Sequence, residues 1–286
     1  MIDSFVLLAP IYLLGVIALL GFVGCGFTSG YISPDGPILR CTAGDKTVDL
    51  DWDPYPDATE YQVYRMDDPL NPEALGAPVA APGTTLHDPD LTNGQYYKYA
   101  VKAHFPDPDM DHTHWTSYSN TVDALPLGPF VETVDTSLSG LGVRNGFCGM
   151  RIRVGAADMQ IYTLGRTVFG LTTAHAMKVV DGTPPYAERG NASVDPTSKL
   201  VGEFRYAKVV PTDPSAAYVT LSAGLEYYIL SMEMTGADQF YDRDTTVTTR
   251  TEAMVLSAVY SDTTTPGVYT IAATTGHTIG PVSFEY

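Results

Sequence analysis

Thr47-Val48-Asp49-Leu50-Asp51-Trp52-Asp53 alternates without a break between the apolar residues Val48, Leu50 and Trp52 and the acids Asp49, Asp51 and Asp53. Successive side chains of an extended chain point to opposite faces, so the run predicts a strand with one buried and one acidic face. A Pro/Asp turn follows over residues 54–59, and Tyr61-Gln62-Val63-Tyr64-Arg65 alternates again. Together they predict a hairpin whose register buries Tyr61 and Val63 on the Trp52 face. The same period recurs down the chain, whose 19 Tyr and scattered 26 Gly and 21 Pro suit short strands joined by tight turns. The fold class read from this pattern is all-β.

Further on, Leu91-Thr92-Asn93-Gly94-Gln95-Tyr96-Tyr97 leads into Tyr99, Val101 and Ala103 at period two. Tyr97 stands where a tyrosine corner would fold its hydroxyl back to the upstream chain. With Trp52, the Tyr61/Val63 strand and the closing Ser117-Tyr118-Ser119-Asn120-Thr121-Val122, residues 38–125 resemble a fibronectin type III domain. That resemblance implies a spacer or adhesion module, a type that seldom catalyses. The segment departs from the pattern in its long acidic loop from Pro106 to His114. Asp107, Asp109 and Asp111 could present oxygens to calcium there, and His112 and His114 could meet a transition metal. The sixth and twelfth positions of a calcium loop are nonetheless His112 and Tyr118 rather than Gly and Glu, and a solvated hairpin loop is the competing reading.

Residues 127–286 supply further strand candidates at 147–154, 159–164, 174–180, 203–207, 218–221, 226–232, 254–260 and 282–286. Short strands separated by turn signals, without a helical period, predict a second β-sandwich of the jelly-roll kind. Leu221-Ser222-Ala223-Gly224-Leu225-Glu226-Tyr227-Tyr228-Ile229, Gly236 to Asp242 and the closing Val282 to Tyr286 are similar to an uncharacterised sandwich module that trails secreted bacterial proteins. That family carries no activity to transfer. Asp238, Gln239, Phe240, Tyr241 and Asp242 read as a sugar platform, with aromatic faces for stacking and amide or carboxylate groups for hydroxyls. The competing reading puts Phe240 in the core and uses the acids as turn caps. Asp238, Asp242 and Asp244 form a second candidate set for a structural calcium ion; apart from such metal sites no cofactor is expected. His175 alternates within a strand and reads as structural. The sequon Asn191-Ala192-Ser193 predicts a loop at Asn191.

Residues 5–27, FVLLAPIYLLGVIALLGFVGCGF, hold no charge, and about 20 such residues cross a bilayer as a helix. A hydrophobic anchor helix is expected over residues 1–27, followed by a Gly/Pro/Ser-rich linker at 28–37. A retained anchor, a cleaved signal and lipidation at Cys25 all remain open, and the absence of Lys or Arg among the first four residues weakens the last two. Gly15, Ala18, Gly21 and Gly24 recur at three-residue steps, which also suits packing of such helices against copies of themselves.

The formal charge of −17 speaks against nucleic acid as a partner, because no cluster of Lys and Arg is present to neutralise phosphate. The acidity is uneven, with 16 acids against 5 bases in residues 32–126 and 16 against 11 in residues 127–286. Three cysteines this far apart do not make a disulfide framework, and Cys41 and Cys148 read as small buried hydrophobes. The six histidines fall in no zinc-type or nucleophile-elbow motif. The expectation is a non-enzymatic protein of the cell envelope, anchored through residues 5–27, with both β bodies outside the cytoplasm. Its distal sandwich would contact a glycan or a surface protein. The rival is a homo-oligomeric structural subunit of a filament or virion, bundled through its hydrophobic helix.

Overall fold

The computed structural model describes the backbone of residues 25–27 and residues 36–106, 113–135, 145–234, 238, 245–261, 267–272, 276–280 and 282–286. Every pairing between described strands is antiparallel, and none of the described residues is helical.

The first hydrophobic core runs from Leu39 to Ala124. Strands Leu39–Ala43, Val48–Trp52 and Thr85–Asp88 form a three-stranded sheet, with Leu50 opposite Cys41 on one side and Leu86 on the other. The facing sheet is built on Tyr97–Pro106, flanked by Val122–Ala124 and Glu60–Arg65. Val48, Leu50 and Trp52 are buried and Asp49 is exposed, as the alternation predicts. The expected hairpin between 47–53 and 61–65 does not form. Glu60–Arg65 pairs with Tyr97–Pro106 in the facing sheet, and Tyr61 meets Trp52 across the interior at 5.4 Å between ring centroids. A shared apolar face is satisfied equally by neighbours in one sheet and by partners across a core. Tyr97 is the expected corner: its hydroxyl accepts the Thr92 N–H at 2.9 Å, and Gly94 supplies the left-handed turn at φ 75°. This arrangement is sandwich-like and compatible with the fibronectin type III pattern.

Cys25–Phe27, the last residues of the expected helix, are a strand paired to Val122–Ala124 at the edge of this sheet. The unpaired backbone of that edge outweighs continuation of a helix there. The remainder of residues 1–27 lies outside the described residues, among which no helix is long and apolar enough to cross a membrane. Cys41, expected to be a buried small hydrophobe, is partly exposed and disulfide-bonded. Cys148 keeps its thiol and is buried against Ala258 and Ile279.

The second core runs from Phe130 to Phe284. Its large sheet has the order Val210–Pro211, Glu188–Val194, His175–Asp181, Glu226–Glu233, Gly146–Val154, Ala253–Tyr260, Thr270–Ile271. A four-stranded sheet of Lys199–Val201, Phe204–Lys208, Thr163–Thr167 and Val282–Glu285 belongs to the same body, and Met150, Ile152, Val179, Ile229, Leu164 and Phe284 share the core. Phe130 stacks on Phe284 at 4.6 Å. The expected strand 159–164 divides at Tyr162 into Met159–Ile161 and Thr163–Thr167, which join different sheets. Asn191, expected in a loop, lies exposed in Glu188–Val194. Leu221 to Tyr227 repeats the corner device of Leu91 to Tyr97: Gly224 turns at φ 74°, and the Tyr227 hydroxyl accepts the Ser222 N–H at 3.0 Å.

The two cores meet through a bonded joint. Gly94 N–H donates to the Pro126 carbonyl at 2.8 Å, and Asp45 accepts from Asn93 at 2.9 Å and from Arg250. Gly128 sits inside this joint, where a Cβ would lie 2.6 Å from Asp45 Oδ1 and 2.8 Å from Arg250 Nη1, so any larger residue would have to displace these side-chain ends.

Candidate functional site

One face of the large second sheet covers the core, and the other would ordinarily alternate polar side chains into water. A block of its outward positions is apolar instead. Val180, Tyr228, Leu230 and Val259 form a separate buried cluster, with Phe147, Tyr186 and Tyr269 packed on it. Tyr186 comes from the turn between His175–Asp181 and Glu188–Val194, and Tyr269 immediately precedes Thr270–Ile271. Tyr186 and Tyr269 lie edge to face at 5.3 Å and 76°, and both pack on Tyr228, at 5.9 and 5.4 Å. Tyr186 holds a left-handed φ of 56°, a conformation that disfavours a bulky residue and concentrates at functional positions. The result is a partly exposed aromatic platform over a buried tyrosine.

A cation is set into the platform. Lys178 lies between Asn191 and Leu230 in neighbouring strands and is 8% exposed, with its ammonium 3.7 Å from the Phe147 ring centroid and 5.7 Å from that of Tyr269. On the same face Arg151 and Arg153 fork onto Glu226, with Arg151 Nε donating at 2.9 Å. Burial pushes the Glu226 carboxyl up, but the two guanidinium groups prevail and hold it below the usual range. Among the described residues this face therefore carries Lys178, Arg151 and Arg153, with Glu226 held by the two arginines and Glu188 engaged by Asn191.

A second constellation lies inside the body. Arg166 donates to both Glu233 oxygens at 2.9 Å, with both side chains 1% exposed. Ser231 also donates to Glu233 at 2.6 Å. His175 Nδ1 donates to the Met232 carbonyl and Nε2 to Asp238, each at 2.9 Å, with Nδ1 also 3.3 Å from Glu233. Asp238 further accepts from Thr172 Oγ1 and from the Thr173 N–H at 2.7 Å. Burial pulls the His175 pKa down, yet Glu233 and then Asp238 overcome it and raise it above the ordinary value. Glu233 and Asp238 are pushed up by burial but held low, Glu233 by Arg166 and His175, Asp238 by Thr172, Thr173 and His175. Both nitrogens of His175 face acceptors, which leaves no lone pair to take a proton from a nucleophile. The arrangement is a fully paired buried charge network, with a structural rather than a chemical capability.

Asp238 thus directs its oxygens to Thr172, Thr173 and His175 and is buried. Gln239, Phe240, Tyr241 and Asp242, the rest of the expected sugar platform, lie outside the described residues, as do Asp107, Asp109 and Asp111 of the expected metal loop. At Cys25, the candidate lipidation position, only the backbone is described. Among the described residues no group of three or more His, Cys, Asp or Glu is arranged to hold a metal ion. A depression of about 320 Å³ lies on the first body, lined by Asp49, Asp51, Thr85 and His87 among others, away from both constellations. Sequence reasoning missed Lys178, Phe147, Tyr186 and Tyr269. The available signal was the unbroken apolar run Tyr227-Tyr228-Ile229-Leu230, which marks a strand covered on both faces and so asks what covers the outer one.

No family model matches the chain, and no curated protein matches it. Among solved structures it is similar to the chitinase ChiA74 from Bacillus thuringiensis at 12% identity and a TM-score of 0.19. The match covers 75% of this chain and 29% of the chitinase, so the chain spans well under half of that protein's length.

Proposed function

We propose that this protein is a non-enzymatic binding protein of the cell envelope, in which a fibronectin type III-like module carries a jelly-roll-like sandwich whose outer sheet face contacts a glycan. The observation that carries this reading is the platform of Tyr186, Tyr269 and Phe147 over Tyr228, on a face where water would select polar side chains. Partly exposed aromatic rings stack against the apolar C–H faces of sugar rings. The bonded joint at Asp45, Asn93 and Arg250 suits a spacer that holds this face at a set distance. The disulfide at Cys41 supports an oxidising compartment, and the uncharged stretch 5–27 supports attachment to a membrane.

The test is retention of the full chain, in detergent, on a panel of immobilised polysaccharides and envelope fractions. Retention that is lost in Tyr186→Ala and Tyr269→Ala chains of unchanged circular dichroism is the expected result. Failure to bind any member of the panel would overturn the reading, as would a turnover activity abolished by replacing one acid or histidine.

A further inference from the structure

We infer that the platform is built for an acidic saccharide, with Lys178 receiving a sugar carboxylate while the tyrosines bear the ring. This rests on the glycan reading above and specifies its ligand.

Lys178 is the anomaly. Arg65, Arg151, Arg153, Arg166, Arg189 and Lys199 each meet a carboxylate within 2.9 Å, as expected where acids outnumber bases 33 to 16. The Lys178 side chain is more than nine-tenths buried, yet among the described residues no carboxylate pairs with its ammonium, which lies over the Phe147 ring. Its cross-strand neighbours are the amide Asn191, engaged with Glu188, and the aliphatic Leu230. Removing an ammonium from water is strongly unfavourable, and the face of a phenyl ring recovers only part of the loss. A methionine in the same place would cover Leu230 and Phe147 with no such penalty. What a lysine adds is a partly desolvated cation with three N–H donors, and its missing complement is an anion.

The surroundings select the kind of anion. One cation beside a mutually satisfied Arg151/Arg153/Glu226 cluster takes one anionic group at a time, which gives no advantage to densely sulfated or phosphorylated chains. An isolated carboxylate on a polar ring suits it, because repulsion beyond a Debye length of about 8 Å is screened at physiological salt. The 5.7 Å from the ammonium to the Tyr269 centroid lets one pyranose place its carboxylate at Lys178 and its C–H face against the aromatic rings. An acidic peptide offers the same charge without a flat apolar face for Tyr186 and Tyr269.

Four full-length chains decide the matter: wild type, Lys178→Met, Lys178→Arg and Tyr269→Ala. Each is measured by affinity electrophoresis in gels containing polygalacturonate, hyaluronan, dextran sulfate, neutral dextran or polyglutamate. The wild type should be retarded by at least one carboxylated polysaccharide. Retardation should fall tenfold or more in Lys178→Met and Tyr269→Ala and be restored in part by Lys178→Arg. Lys178→Met should melt at or above the wild-type temperature; a lower melting temperature with unchanged binding would make Lys178 a packing residue and overturn the inference. Equal retardation by neutral and acidic polysaccharides, insensitive to Lys178→Met, would sink the acidic ligand while leaving the glycan reading intact. Stronger retention by dextran sulfate or polyglutamate than by either carboxylated polysaccharide would also overturn it. No retention on any polysaccharide would remove both.

Discussion

Replacing Arg166 by Met should destabilise the second body more than any other loss of a charge. Arg166 and Glu233 are each 1% exposed, and two charge-assisted hydrogen bonds of 2.9 Å join them. Without the guanidinium, Glu233 stays buried with only Ser231 and His175 as partners. Breaking one side of such a pair typically costs about 3–5 kcal/mol, because the other charge is left uncompensated. For a body of about 150 residues each kcal/mol moves the melting temperature by roughly 2–4 °C, so a fall of about 10 °C is expected. Both tryptophans, Trp52 and Trp115, belong to the first body, so their fluorescence reports that core while calorimetry and circular dichroism follow the whole chain. The double replacement Arg166→Met/Glu233→Leu should recover much of the loss, since neither partner is left as an uncompensated charge and His175 keeps Asp238. By contrast, Glu226→Gln at the partly exposed Arg151/Arg153 fork should cost about 1 kcal/mol or less. An Arg166→Met chain melting within about 1 kcal/mol of wild type would refute the idea that this pair is desolvated and mutually dependent.

The same network sets a pH window. Glu233 and Asp238 have lowered pKa values, so their contribution is present above the ordinary values of 4.5 and 3.8 and is lost as pH falls below them. His175 has a raised one, so its contribution is complete below the ordinary 6.5 and is lost as pH rises through the raised value. Chemical unfolding across pH should therefore show the network's contribution greatest between about 4.5 and 6.5 and declining on both sides, with the alkaline limb absent in His175→Gln. Tyr97→Phe and Tyr227→Phe should each cost about 1 kcal/mol in urea titrations, because each leaves one backbone N–H without its hydroxyl acceptor. Thiol alkylation should label Cys148 only after unfolding, and Cys41 only after reduction. Labelling of Cys41 without a reductant would show that its disulfide is not formed.

What the sequence by itself determined are the features encoded within a few residues. Alternation placed Val48, Leu50 and Trp52 in a core, and the spacing from Leu91 through Gly94 to Tyr97 identified a corner that recurs from Leu221 through Gly224 to Tyr227. A period of two states which residues share a face and nothing about which strand lies alongside, so the tertiary structure alone moved 60–65 into the facing sheet. It alone also brought Arg166, His175, Glu233 and Asp238 into one network, since their separations of up to 72 residues follow from sheet order and not from any local pattern. Lys178 reads in the sequence as an ordinary polar residue of an exposed face. Only the turn carrying Tyr186 and the segment carrying Tyr269, folding over that face, make it a buried cation awaiting an anion.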